Sequence, residues 1–426
     1  MRCFIHLLLF TISIAKDILF IPKTGSSTNI ALENGMLFYN TIQEAIPGDN
    51  IILDNHQVMY FIPYDILTNL YNITIKLNGN IFLHDNISAW KYIPETNSYI
   101  NAIDIRDSKM ITITSNDNEN GENIINGQGY KWWNEFYQGK ISRQRPTMIN
   151  LNNCIDIYIS GLILLNGPRF HIYGENILRL DIQYITIWVE PNEMFPFNTD
   201  GIDISGKDIY IHDCMISNYD DAICIKPADY NTPSLDGINM SCTENVLVDN
   251  IYVYKGVGLS VGSVASSKQH CIRNVIFQNI VADKPIKFIY IKTGNQHDAN
   301  TIQGYIENIT YLNMTATDAL LWPIYIGPQQ QKEPDGTGDG IWPNVNPYVE
   351  ISDIFLENIT IHMKTHYSKY GVLRCDIKNP CSNIHFKEVI VKGGENKYVC
   401  SEKGSLLGYY DTKTKPPLKK CGLSLV

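Results

Sequence analysis

DIYISGLIL (156–164), RLDIQYITI (179–187) and DIYIHDCMI (208–216) are one pattern written three times. A polar residue opens each copy, and short runs then alternate apolar with polar side chains. Alternation with a period of two, in pieces this short, specifies strands and not helices. The pattern returns as NVLVDNIYV (245–253), NVIFQNIVA (274–282), NITYLNMTA (308–316), DIFLENITI (353–361) and NIHFKEVIV (383–391), with NITIKLNGN (72–80) as an earlier copy. From Asp156 onward the opening residues lie between 23 and 45 residues apart, as in stacked coils that carry loops of variable length. Recurrence of a whole coil favours an all-β, single-stranded parallel β-helix over a sandwich. Polar residues at one repeated position are expected to stack as a ladder, each amide bonded to the next coil.

The bulk properties agree with a solenoid. At 426 residues the chain is long for one conventional core, but a solenoid lengthens by stacking and never enlarges its core. A formal net charge of −10 and no long basic run exclude a general nucleic-acid or anionic-membrane binder. Residues 1–15 read as a secretory signal: Arg2, an apolar run from Cys3 to Ile14, and Ser13-x-Ala15 as the cleavage site. Residues 16–426 are then one β-helix domain, secreted and monomeric. Thr41 to Ile46 read as a short amphipathic helix that ends at Pro47-Gly48 and covers the first coil, with a strand over Ile51 to Leu53. Gly121, Gly127 and Gly129 form no phosphate-binding fingerprint.

Without Cys3, nine of the ten cysteines remain, an odd number. Cys242 and Cys271 each stand three residues before a copy of the repeat, so stacking brings them within disulfide reach. Cys375–Cys381 and Cys400–Cys421 are the expected local staples, which leaves Cys154, Cys214 and Cys224, some of them expected as buried thiols. Six Asn-x-Ser/Thr sequons, at Asn72, Asn86, Asn239, Asn308, Asn313 and Asn358, fit export, although several fall on repeat positions.

Asp200 lies in NTDGIDI and the pair Asp220-Asp221 in DDAICIK, twenty residues on, about one undecorated coil. Stacking would place the three acids roughly 4.8 Å apart. Acids that close cannot all ionise freely, so at least one pKa should rise. A protonated acid beside an ionised one is what glycosidic cleavage uses. A surface turn and a three-carboxylate Ca²⁺ site are the alternatives.

NTDGIDI (198–204), DDAICIK (220–226), GVGLSVGS (256–263) and YIKT (290–293) resemble, in order and spacing, the four motifs of the polygalacturonases, glycoside hydrolase family 28. The resemblance implies a right-handed, pectin-lyase-like β-helix and inverting hydrolysis of a galacturonan-type pectic polysaccharide, without cofactor or metal. It implies Asp220 as general acid, with Asp200 and Asp221 holding and activating water and Asn198 positioning the site. It implies Lys292 as partner of the substrate carboxylate, with Gly256, Val257, Gly258 and Tyr290 at the substrate.

Two positions depart from that pattern. Gly-His-Gly becomes Gly256-Val257-Gly258, and Arg-Ile-Lys becomes Tyr290-Ile291-Lys292. With Val257 in place of His, the acid must be tuned by its neighbours and by burial. Tyr290 replaces a bidentate fork with a ring face and one hydroxyl. Lys226, Arg273 and Lys287 are candidates for replacement charge. Trp322 and Tyr325 are read either as a sugar platform or as coil packing. His270 falls at the surface, and Asp203 has an orienting or structural part. The departures also leave open a weak or inactive polysaccharide-binding relative. A Ca²⁺-dependent lyase on the same fold is a further alternative.

Overall fold

The computed structural model describes residues 15–115, 123–191, 195–266, 269–294, 303–330, 342–364, 368–395 and 397–426. The signal segment, except Ala15, and Gly121 lie outside the described residues.

The repeats form a parallel β-helix. Ile149–Ser160 pairs with Ile172–Gln183, which pairs with Ile202–Asn218. The series continues through Thr243–Lys255, His270–Asp283, Gly304–Ala319 and Val349–Met363 to Cys381–Lys392. Shorter strands such as Ile163–Leu165 and Thr186–Trp188 complete the coils. The register stacks Ile157, Leu180, Ile209, Val246, Val275, Ile309, Ile354 and Ile384 in one column. All are at most 3% exposed. This is why the apolar positions of the repeat are branched aliphatics: each covers the side chain one coil below it.

The polar residue that opens each copy is a corner of the coil. Asn72, Asp156, Arg179, Asp208, Asn245, Asn274, Asn308, Asp353 and Asn383 have φ between 53° and 60°. A second corner follows five residues later at Tyr184, Asp213, Asn250, Asn279, Asn313, Asn358 and Glu388. The left-handed conformation costs an L-residue about 1–2 kcal/mol, and Asn and Asp occupy it most readily. Their amides also form the ladder. Asn245 donates to Asp208 at 3.0 Å, Asn274 to Asn245 at 3.4 Å, Asn308 to Asn274 at 2.9 Å and Asn358 to Asn313 at 2.9 Å. Three of the sequon asparagines, Asn308, Asn313 and Asn358, are therefore structural members of it.

The N-terminal helix differs from the expectation. It is α1, Thr28–Gln43, and ends where it was expected to begin. Asn34-Gly35 reads locally as a turn, yet both residues serve docking. A Cβ on Gly35 would lie 1.7 Å from the Ile62 carbonyl, so only glycine allows this approach. Asn34 accepts from Lys23 N at 2.8 Å and donates to the Tyr60 carbonyl at 3.0 Å. Phe38 packs edge-on against Phe20 and Phe61, closing the first coil. The strand expected over Ile51 to Leu53 is present as Asn50–Leu53. A second helix, α2 (Gly129–Tyr137), buries Trp132 and Trp133.

Cys242–Cys271, Cys375–Cys381 and Cys400–Cys421 are disulfides with Cα–Cα separations of 4.6, 5.7 and 5.2 Å, and Cys154, Cys214 and Cys224 are buried thiols. No helix among the described residues is long and apolar enough to cross a membrane.

Asn274→Ala is expected to lower the unfolding free energy by about 2 kcal/mol, from the left-handed φ and the lost ladder bonds. Asn274→Gly should lose only the ladder part. Urea midpoints would measure both, and equal losses would show that φ is not the constraint.

Candidate active site

Asp200 immediately precedes strand Ile202–Asn218, and Asp221 opens strand Asp221–Ile225. Ile202 pairs with Ile223 and Asp203 with Cys224, while Gly201 N–H donates to the Asp221 carbonyl at 2.9 Å. One coil thus separates Asp200 from the Asp pair. Carboxylate oxygens of Asp200, Asp220 and Asp221 lie within 4.8 Å of one another.

Their surroundings differ. Asp220 accepts from Asn198 N at 2.9 Å and from Asp221 N at 3.1 Å. Asp221 accepts from Ser260 Oγ at 2.6 Å and from Lys292 Nζ at 2.5 Å. Asp200 Oδ1 is buried with no hydrogen-bond partner among the described residues. Burial, then the charges of Asp220, Asp203 and Asp221, holds the Asp200 carboxyl well above the usual carboxylate range. Burial and the neighbouring Asp221 raise Asp220 as well. Burial pushes Asp221 upward too, but the ammoniums of Lys292 and Lys226 and the bonds from Lys292 and Ser260 outweigh it, and its pKa falls. One carboxyl whose pKa is lowered therefore stands beside two whose pKa values are raised. Three carboxylates this close could in principle clasp a cation, but Lys292 already supplies the counter-charge to Asp221.

The backbone behind the acids is tightly fitted. Asn218 Nδ2 donates to the Asp221 carbonyl at 2.7 Å and the Thr199 carbonyl at 3.1 Å. Val257 N donates to the Asp220 carbonyl at 2.7 Å. Gly256 has φ of 70°, and a Cβ there would fall 2.2 Å from Asn218 Oδ1. Gly256-Val257-Gly258 thus wraps the main chain of Asp220, with the Val257 side chain half-buried against an aromatic cluster. His171, which the sequence reading missed, braces Asp200 from the preceding coil. Its main-chain N–H and its Nδ1 meet the Asp200 carbonyl at 3.0 and 2.9 Å, while Gly167 N donates to Nε2 at 3.1 Å. This network assigns a neutral ring protonated at Nδ1, and burial pushes its pKa down to about 4. GPRFH (167–171) lies outside the repeat, so no periodicity flagged His171.

Several expected ligand contacts are redirected. Lys292 is 1% exposed and turned onto Asp221. Tyr290 offers no open ring face: it is 2% exposed, edge-on to Tyr325 at 4.9 Å, with Lys287 Nζ 3.8 Å from its centroid. Trp322 and Tyr325 are buried coil packing and form no platform. Lys226 pairs with buried Asp203 at 2.9 Å, and Arg273 with Glu244. His270 sits partly buried on the strand His270–Asp283, its Nδ1 3.1 Å from the Ala265 carbonyl. Asn198 is central: its N–H holds Asp220, while its Oδ1 accepts from Arg143 Nε at 3.0 Å.

Known proteins resemble this chain to different depths. A probable polygalacturonase of Arabidopsis thaliana is 29% identical over 64% of this chain and 53% of its own length. A polygalacturonase of Juniperus ashei is 24% identical over 82% and 62%. The chain thus spans a little over half the length of these relatives. Among solved structures, the endo-xylogalacturonan hydrolase of Aspergillus tubingensis superposes with a TM-score of 0.71 at 18% identity, covering 96% of this chain and 99% of that one. The polygalacturonase of Erwinia carotovora ssp. carotovora gives 0.63 at 18% identity, over 92% and 95%. At that identity the likeness is one of fold. The family model for glycosyl hydrolases family 28 matches residues 67–406, four fifths of the sequence, and the chain belongs to that family.

Proposed function

We propose that this protein hydrolyses glycosidic bonds in a galacturonan-type pectic polysaccharide outside the cell, with Asp220 as general acid and Asp221 as the ionised base. The observation that carries this reading is the opposite displacement of two adjacent carboxyls. Burial raises the pKa of Asp220, and Lys292 with Ser260 helps to lower that of Asp221. Environments that push neighbouring carboxyls apart assign acid and base. Asp200, with an oxygen that meets no hydrogen-bond partner among the described residues, has acceptor capacity to help hold the water. The family relationship supports the substrate class, and the three disulfides accord with an oxidising compartment. Val257 leaves the acid without an imidazole beside it, and burial and charge supply the tuning instead.

The resemblance implies inversion, although the acids stand closer than the roughly 6.5–9.5 Å typical of inverting pairs. A third carboxylate gives the water a second acceptor and relaxes that requirement. The first product released should therefore carry the inverted anomeric configuration, read by NMR during the first minutes of reaction. A retained anomer would replace water attack with a covalent intermediate.

Asp220→Asn should cut reducing-sugar release from polygalacturonate by about 10²–10⁴-fold. No release by the wild type from any pectic polymer would remove the hydrolase reading.

The pH profile follows from the directions of the shifts. Activity should rise as Asp221 loses its proton at low pH and fall as Asp220, held above the usual range, ionises. Lys292→Met removes the main group depressing Asp221, so the acidic limb of kcat/KM should move to higher pH. An unmoved limb would mean that Asp221 is not the base.

A further inference from the structure

We infer that Arg169, with Arg145 behind it and Arg143 at its side, forms a subsite for the carboxylate of a uronic acid residue, on the side of the acids that faces the N-terminal coils. The inference rests on the polysaccharide reading above and deepens it by naming where the substrate's charge is met.

The charge balance of the groove leads there. The Arg of the fourth motif is Tyr290 in this chain, and the neighbouring cations are committed: Lys292 to Asp221 and Lys226 to Asp203. Lys287 is buried against the aromatic rings of Tyr290 and Tyr325. Elsewhere Arg106, Arg179 and Arg273 each lie against a carboxylate. Among the described residues, Arg143, Arg145 and Arg169 make no direct ion pair with a carboxylate; Asp200 attracts Arg145 and Arg169 from farther off, and the guanidiniums repel one another.

Their remaining contacts leave donors over. Arg145 is 2% exposed; its Nε donates to the Pro168 carbonyl at 2.7 Å and its Nη2 to the Phe197 carbonyl at 2.5 Å. Its Nη1 meets no partner among the described residues. The guanidinium lies 4.4 Å from the Phe136 ring centroid of α2. Burial, then Arg169 and Arg143, pushes its pKa down to about 10, so it is still a cation at neutral pH. Arg169 lies over the Phe170 ring at 4.2 Å and donates from Nη1 to Gln144, while its Nε meets no partner among the described residues. Three like charges held together, two of them largely desolvated, are costly without an anion.

A cavity of about 440 Å³ opens beside them. Arg145 and Arg169 line it together with Asp104, Asn150 and Tyr173, which follow one another coil by coil and lead to Asp203. Asp104 adds no free negative charge there, because Arg106 and Asn150 bind it at 3.0 and 2.8 Å. The cavity therefore continues the same sheet face that carries the acids, one coil before Asp200. A guanidinium presents the planar fork that fits a uronate carboxylate. Arg143, bonded to Asn198, ties the subsite to the loop that holds Asp220.

The test is calorimetric binding of oligogalacturonate and of its methyl ester to Asp220→Asn protein, with and without Arg169→Gln, at low and high salt. The removal of one charge-assisted contact should weaken the acid oligomer by about tenfold or more and leave the ester unchanged. Arg169→Lys should restore part of the loss, and unchanged unfolding midpoints would separate recognition from folding. Equal losses for both ligands, or none for the acid, would overturn the subsite. The measurement needs no turnover. Binding through Arg169 in a protein that cleaves nothing would sink the hydrolase reading alone. Normal cleavage by Arg169→Gln with an unaltered acid-to-ester preference would sink the subsite alone.

Discussion

The structure depends on the hydrogen-bonded register between successive coils. Each strand satisfies its backbone only on the coils above and below it, at a spacing near 4.8 Å. Every coil must therefore bend at the same places as its neighbours, whatever its loops do. That requirement recruits Asn and Asp to the corners at Asp208, Asn245, Asn274 and Asn308, where left-handed backbone is least costly for an L-residue. The same requirement stacks Ile157, Leu180, Ile209 and Val246 into a continuous core. It also sets Asp200 one coil from Asp220 and Asp221. Corner, core and candidate site are consequences of one repeat distance.

Stacking by itself would make the acid cluster a liability. Three carboxyls within 4.8 Å of one another are tolerable because they are not equivalent. Asp221 is held by an ammonium and a hydroxyl, while burial and the neighbouring charges raise the pKa values of Asp200 and Asp220. Lys226 with Asp203 repeats the device on the neighbouring strand position. The wrapping of Gly256-Val257-Gly258 around the Asp220 carbonyl keeps the arrangement rigid without a side-chain hydrogen bond from Val257. Loss of an imidazole is thus compatible with a poised acid, provided burial is kept.

The ladder, the three disulfides and the meeting of the three acids were legible in the sequence because each follows from coil spacing. The extent of α1 was not: Asn34-Gly35 reads as a break, and only the approach of the Ile62 carbonyl explains a glycine inside the helix. Lys292 and Tyr290 were expected at the substrate and are buried, while Trp322 and Tyr325, open between platform and packing, are packing. Outward on a β-helix strand does not mean open, since loops and neighbouring aromatics cover that face. Arg145 and Arg169 escaped notice because they lie between repeats, where no periodicity marks them.

Taken alone, the sequence determined the strands, their stacking, the carboxyls that share a coil boundary, and the cysteines able to pair. Those are properties of spacing, and spacing is written in the chain. Tertiary structure decided the protonation pattern, the engagement of Lys292 and the placement of the unpaired guanidiniums. These depend on burial and on charges brought together from distant segments, such as Asp221 with Lys292 and Arg145 with Phe197. Desolvation acts through the surroundings of a group, and those surroundings exist only once the coils have closed around it.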